Sequence, residues 1–116
     1  MAVMLKQPAQ SDDRVHINIQ IQADLNVSAF IARRQVTHYL IDNVSDHLCG
    51  ETPDLVVDGD RLTWRVPVFL YLTSRGKVGQ VGAVDVDAQT GQLQITPALI
   101  IEIEQRAREL AARPSS

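Results

Sequence analysis

The chain has 116 residues, of which 45% are hydrophobic and only 4% aromatic, with a net charge of −3. That length suits one domain, with a core large enough to need no disulfide or metal staple. The acidic balance argues against nucleic acid as a partner, because such binders usually carry a basic face. The single cysteine, Cys49, leaves no intrachain disulfide to form. The apolar run at residues 2–5 is too short for a signal-peptide core. No stretch approaches the ~20 apolar residues of a membrane span, so the expected setting is the cytoplasm, away from any membrane.

Residues 1–13, with Pro8 and the pair Asp12-Asp13, read as a flexible tail ahead of one domain over 14–113, with a second tail at 114–116. Residues 15–22 alternate strictly: Val15, Ile17, Ile19 and Ile21 point one way, and His16, Asn18, Gln20 and Gln22 the other. That is the period of a half-buried strand. Ser28 is then a suitable N-cap, since its hydroxyl can accept from a free backbone N–H of the first turn. A helix is expected over 29–48, with Ala32, Val36, Leu40, Val44 and Leu48 as its apolar stripe and Tyr39 and Ile41 beside them. Gly50 suits a left-handed stop, and Pro53 prevents resumption.

A short strand over 54–57 leads into Asp58-Gly59-Asp60, a tight hairpin turn. The longest strand, 61–73, carries Leu62, Trp64, Val66, Val68, Leu70 and Leu72 on one face. Pro67 cannot donate a ladder bond, so an edge or a bulge is expected there. Beyond it Phe69 and Tyr71 make the other face apolar too, which calls for cover on both sides. After the turn at 74–77, a strand over 78–87 contains Gly79 and Gly82, the mark of a bulge or of close approach by a neighbour. A turn at Ala88-Gln89-Thr90-Gly91 precedes a short strand over 92–95. Thr96 caps a second helix to residue 112, with Pro97 at its favoured first position. Leu99, Ile103, Ala107 and Leu110 form its buried stripe. Glu102–Arg106 and Glu104–Arg108 have the favourable i,i+4 order. Together these elements predict an α+β fold: one antiparallel sheet of about four to five strands with two helices on one face.

The run Val84-Asp85-Val86-Asp87-Ala88-Gln89-Thr90-Gly91-Gln92-Leu93 resembles the closing hairpin of the PepSY family. The helix-then-meander order of residues 28–96 is similar to that family as well, as is an aromatic early in the long strand, here Trp64. The resemblance implies a small non-catalytic regulatory or inhibitory module. The chain departs from the family in its N-terminal strand and C-terminal helix.

The residues offer little chemistry. Arg34, His38, Asp42 and Asp46 recur every four positions and share a helical face, where a His and a carboxylate one turn apart could bind a metal or exchange a proton. A solvated stripe opposite Val36 and Leu40 explains them as well. His47 and Cys49 on one helix would lie about 200° apart and could not act together. Asp85-x-Asp87 ahead of Gly91 fails the tests of a calcium loop at its sixth position, Thr90, and its twelfth, Thr96. Gly76, Gly79 and Gly82 match no phosphate loop. Arg61, Arg65, Arg75 and Lys77 could form a modest anion patch or simply protect a turn and an edge.

The expectation is therefore a non-catalytic protein-interaction or regulatory module, without metal or cofactor, that pairs with itself or with another protein. Trp64, Val66, Phe69 and Tyr71 are its expected interface. The alternative is a small-ligand binder or minor enzyme with a pocket between the sheet and the first helix, lined by His38, Asp42 and Arg65.

Overall fold

The computed structural model describes residues 2–5 and 25–114. The expected strand over 15–22 lies outside the described residues. The chain is α+β: helices α1 (Ala29–Asn43) and α2 (Pro97–Ala112) with strands β1 (Ala2–Leu5), β2 (Leu48–Gly50), β3 (Asp54–Asp58), β4 (Arg61–Leu72), β5 (Gly76–Asp87) and β6 (Leu93–Gln94). Strands β2 to β6 form an antiparallel set in which β4 is central, flanked by β5 on one side and by β3 and β2 end to end on the other.

Residues 2–5, expected within a tail, form β1, which adds to β3 as a parallel strand, Ala2 opposite Asp54 and Leu5 opposite Val57. The pairing occupies an edge of β3 that would otherwise present bare N–H and C=O groups.

The β4 alternation decides the layers. Leu62, Trp64, Val66, Val68 and Leu70 are all buried, and they pack in one cluster with Ala32, Val36 and Leu40 of α1 and Ile103 of α2. Both helices thus lie against the same side of the sheet. The second helix packs on its own chain through two glycines. A Cβ on Gly82 would lie 2.9 Å from Ile103 Cγ1, and one on Gly79 would lie 3.2 Å from Leu110 Cδ1. The register of β5 against β4 slips beside each of these glycines. Those bulges leave Val81 and Val78 as extra residues, Val81 fully buried in the core and Val78 packed against it.

Both helix caps form as the residues dictate. Ser28 Oγ accepts from Ile31 N–H at 3.2 Å, and Thr96 Oγ1 accepts from Leu99 N–H at 3.2 Å. The Glu104–Arg108 pair closes at 3.7 Å. The far end of α2 is capped from outside: Arg75 donates to Ala111 O at 2.7 Å and to Arg113 O at 2.9 Å. A cation there also complements the helix dipole.

Helix α1 stops at Asn43, five residues short of the expected end at 48. Asn43 Nδ2 turns back to Tyr39 O, and Ser45 Oγ accepts from His47 N–H. Polar side chains that bond their own backbone compete with the helix in this way. Gly50 is consequently no helix stop. It sits in β2, where a Cβ would lie 2.9 Å from Val66 Cγ1 and 3.1 Å from Thr37 Oγ1, so it lets α1 settle onto the sheet.

Pro67 lies in the central strand, not at an edge. Its carbonyl accepts from Glu51 N–H at 2.8 Å, but it has no N–H to return the bond. Gly50 opposes Val68 whereas Asp54 opposes Arg65, so three residues, 51–53, stand opposite two. The proline thus coincides with a one-residue bulge that breaks the flanking run into β2 and β3.

Turns carry their expected residues. Gly59, with φ of 59°, is the first of the two residues joining β3 to β4, the position that a type II′ hairpin reserves for glycine. At the β5–β6 turn, Asp87 Oδ1 accepts from Gln89 and Thr90 N–H at 2.8 and 3.0 Å, and Gly91 has φ of 78°. These bonds hold the Asp87 carboxyl below its ordinary range, with the Thr90 N–H contributing most.

Two tests follow from this packing. Trp64 Nε1 donates to Val27 O at 2.7 Å in the buried core. Trp64→Phe orphans that carbonyl and should lower stability by about 1–3 kcal/mol, read by urea denaturation under circular dichroism. Gly82→Ala forces Ile103 aside and should cost about 1–3 kcal/mol in the same assay.

Candidate functional site

The residues expected to form an interface divide between the two sides of β4. Trp64 and Val66 face the helices at 2% and 0% exposure. They are core, and a partner could reach them only by unfolding the chain. Phe69 and Tyr71 alternate to the opposite side, where no described helix lies. The expected pocket lining disperses too. His38 and Asp42 are exposed on α1. Arg65 lies on the helix-free side of the sheet, donating to Asp85 through Nε at 3.0 Å and Nη2 at 3.2 Å. Between α1 and the sheet stand Ala32, Val36 and Leu40, all fully buried, so these three polar side chains do not converge there.

On the helix-free side, the bulge aims Glu51 toward Tyr71. The Tyr71 hydroxyl donates to Glu51 Oε1, Lys77 Nζ lies 3.1 Å from the same oxygen, and Arg33 Nη2 reaches Oε2 at 3.3 Å. Arg33 also donates from Nε to Gly50 O at 2.9 Å, which ties α1 to the rim of the sheet. Lys77 Nζ sits 4.2 Å from the centre of the Phe69 ring, within range of a cation–π contact. Tyr71 and the two cations hold the Glu51 carboxyl below its ordinary value, the tyrosine contributing most. The carboxylate in turn pushes the Tyr71 hydroxyl up. Residues from α1, β4 and β5 are thereby joined around one carboxylate, an arrangement that fixes the sheet rim and leaves Phe69 partly covered. Nothing in the one-residue spacing of the sequence singles out Glu51, because its neighbours come from strand register.

The outward side of α1 is different. Phe30 is 70% exposed, with Ile31 and Ile41 each at 44%. Phe30, Arg34 and Ile41 lie within about 40° of one another around the helix, with His38 and Ile31 further round on one side. The expectation of a solvated stripe on this face missed these apolar residues, whose signal is their place among Arg34 and His38 away from the four-residue apolar stripe. Ile41, expected beside the buried stripe, lies on this outward side.

Of the basic residues expected to form an anion patch, Arg65 is bonded to Asp85, Lys77 to Glu51, and Arg75 to the end of α2, while Arg61 stands at the opposite end of β4 from the β4–β5 turn. Among the described residues, no three His, Cys, Asp or Glu side chains are grouped to hold a metal, and no helix is long and apolar enough to cross a membrane. Cys49 lies in β2 opposite Phe69, half-buried. Comparison with family models, with curated proteins and with solved structures finds no match.

The Glu51 cluster makes a pH prediction. A carboxyl held below its ordinary value of 4.5 contributes stability that is fully present above that pH and fades as pH falls through the lower, folded value. The stability gap between the wild type and Glu51→Gln should therefore be constant above pH 4.5 and narrow below it. Thermal melts across an acid series would show this, and a gap that widens on acidification would contradict it.

Proposed function

We propose that this chain is a non-catalytic protein-interaction module whose docking surface is the outward side of α1. The observation that supports this most is Phe30, left 70% exposed on a helix whose inner side is already filled. A large ring and two isoleucines on the outward side of one helix, interleaved with Arg34 and His38, expose apolar surface of the kind that marks interaction sites. Aromatic anchors of this type often dominate binding energy once a partner excludes water from them.

The Phe69–Tyr71 side of the sheet supports docking less well. The Tyr71 hydroxyl is engaged by Glu51 and the Phe69 ring by Lys77. The ligand-pocket alternative has lost its polar lining, since His38, Asp42 and Arg65 stand apart. The likeness to PepSY modules points to the same kind of role, although Asp87, Thr90 and Gly91 also have turn-forming bonds and geometry of their own.

A benzophenone side chain placed at position 41 should give discrete protein adducts on illumination in an extract of the source cell. Phe30→Asp should remove them while changing stability by less than about 0.5 kcal/mol, as an exposed substitution does. Equal adducts from exposed position 109 on α2, or none from position 41, would contradict the proposal.

A further inference from the structure

We infer that the partner seated on α1 is a second copy of this chain, with the two α1 helices packed antiparallel about a twofold axis. The inference rests on the interaction reading above and names its partner.

Two features of α1 carry it. The first is spacing. Phe30 and Ile41 are eleven residues apart, close to three full turns, so they share one line along the helix. A twofold axis midway between them sets Phe30 against the partner subunit's Ile41, and Ile41 against the partner subunit's Phe30. In this arrangement a large anchor of one copy meets a large anchor of the other at both ends, so the same patch serves on both subunits, as a twofold interface requires.

The second is charge order. Arg34 stands in the N-terminal half of α1, and Asp42 at its C-terminal end. Among the described residues neither takes part in an ion pair. The first turn has no acidic residue and the last turn no basic one. For a lone helix this order runs against the backbone dipole. Beside an antiparallel copy it becomes favourable. Arg34 then lies toward the acidic end of its neighbour, five residues or about 7.5 Å along the axis from the level of the partner subunit's Asp42, and the two helix dipoles oppose. Parallel packing would set Arg34 against Arg34 and Asp42 against Asp42. One helix pair buries less than a standard interface, so the dimer is weak and forms at high protein concentration.

Light scattering of the purified chain, from micromolar to millimolar protein at low salt, tests the assignment. The wild type should pass from monomer to dimer, and Phe30→Asp should remain monomeric. Arg34→Glu and Asp42→Arg should each weaken dimerisation roughly tenfold, because each turns two attractive contacts into repulsive ones. The double variant Arg34→Glu/Asp42→Arg should recover the wild-type midpoint. A double variant weaker than either single one overturns the antiparallel pairing, as does a dimer indifferent to Phe30→Asp. A wild type that stays monomeric while position 41 still cross-links to another protein overturns the self-pairing but leaves the interaction reading standing. Loss of both removes both.

Discussion

Leu62, Trp64, Val66, Val68 and Leu70 leave β4 on the same side, and the rest of the chain is arranged around that one apolar surface. Five inward residues in strict alternation present more surface than one helix covers, so both α1 and α2 are drawn to it. Helices of ordinary width can share a sheet only if the sheet lets them come close. Gly50 does this for α1, and Gly79 and Gly82 do it for α2; a methyl group would collide at Gly50 and Gly82 and crowd Leu110 at Gly79. The indole of Trp64 adds direction to this packing. By donating to the carbonyl of Val27 it fixes the chain at the start of α1, where Val27 N–H also reaches Ala88 O at 3.1 Å.

With both helices on one side, the molecule is left with two quite different exteriors. The back of the sheet is polar and knitted together, with Arg65 bonded to Asp85 and Glu51 gathering Tyr71, Lys77 and Arg33. Such partly exposed ion pairs contribute modestly to stability, but they join α1 to β2, β4 and β5 at a rim that has little apolar contact of its own. The outside of α1 has no such network and keeps its apolar side chains in water. That contrast is the ground on which the docking surface is proposed for α1.

Much of this was readable from residue order. The alternation of β4, the serine and threonine caps and the Asp-Gly hairpin are set by residues close in sequence, so they show locally; the glycines in β5 signal a close approach, although the residues that approach, Ile103 and Leu110, lie far along the chain. Other features depend on partners far along the chain. Val44 and Leu48 continue the four-residue spacing of α1, which hides the stop that Asn43 and Ser45 impose. A strand of three residues, such as β2, is too short to show a period, and β1 exists because β3 has a free edge beside it. Trp64 and Val66 looked like interface residues because a strand apolar on both sides does not say which side the helices take. The Glu51 cluster depends on a one-residue slip opposite Pro67, a matter of register with no trace in composition.

The glycine seat for α2 also shapes how the chain folds. All five antiparallel strands precede α2 in the sequence. Wherever β4 and β5 pair before α2 has docked, the groove over Gly79 and Gly82 is open to water. Val68, Val81 and Val84, fully buried once folding is complete, pass through an interval with strand partners but no roof. Domains fold as units, and transiently bare apolar sheet invites aggregation. The folding chain accordingly exposes most of this apolar sheet before its second helix docks, and the seating of Ile103 ends that exposure.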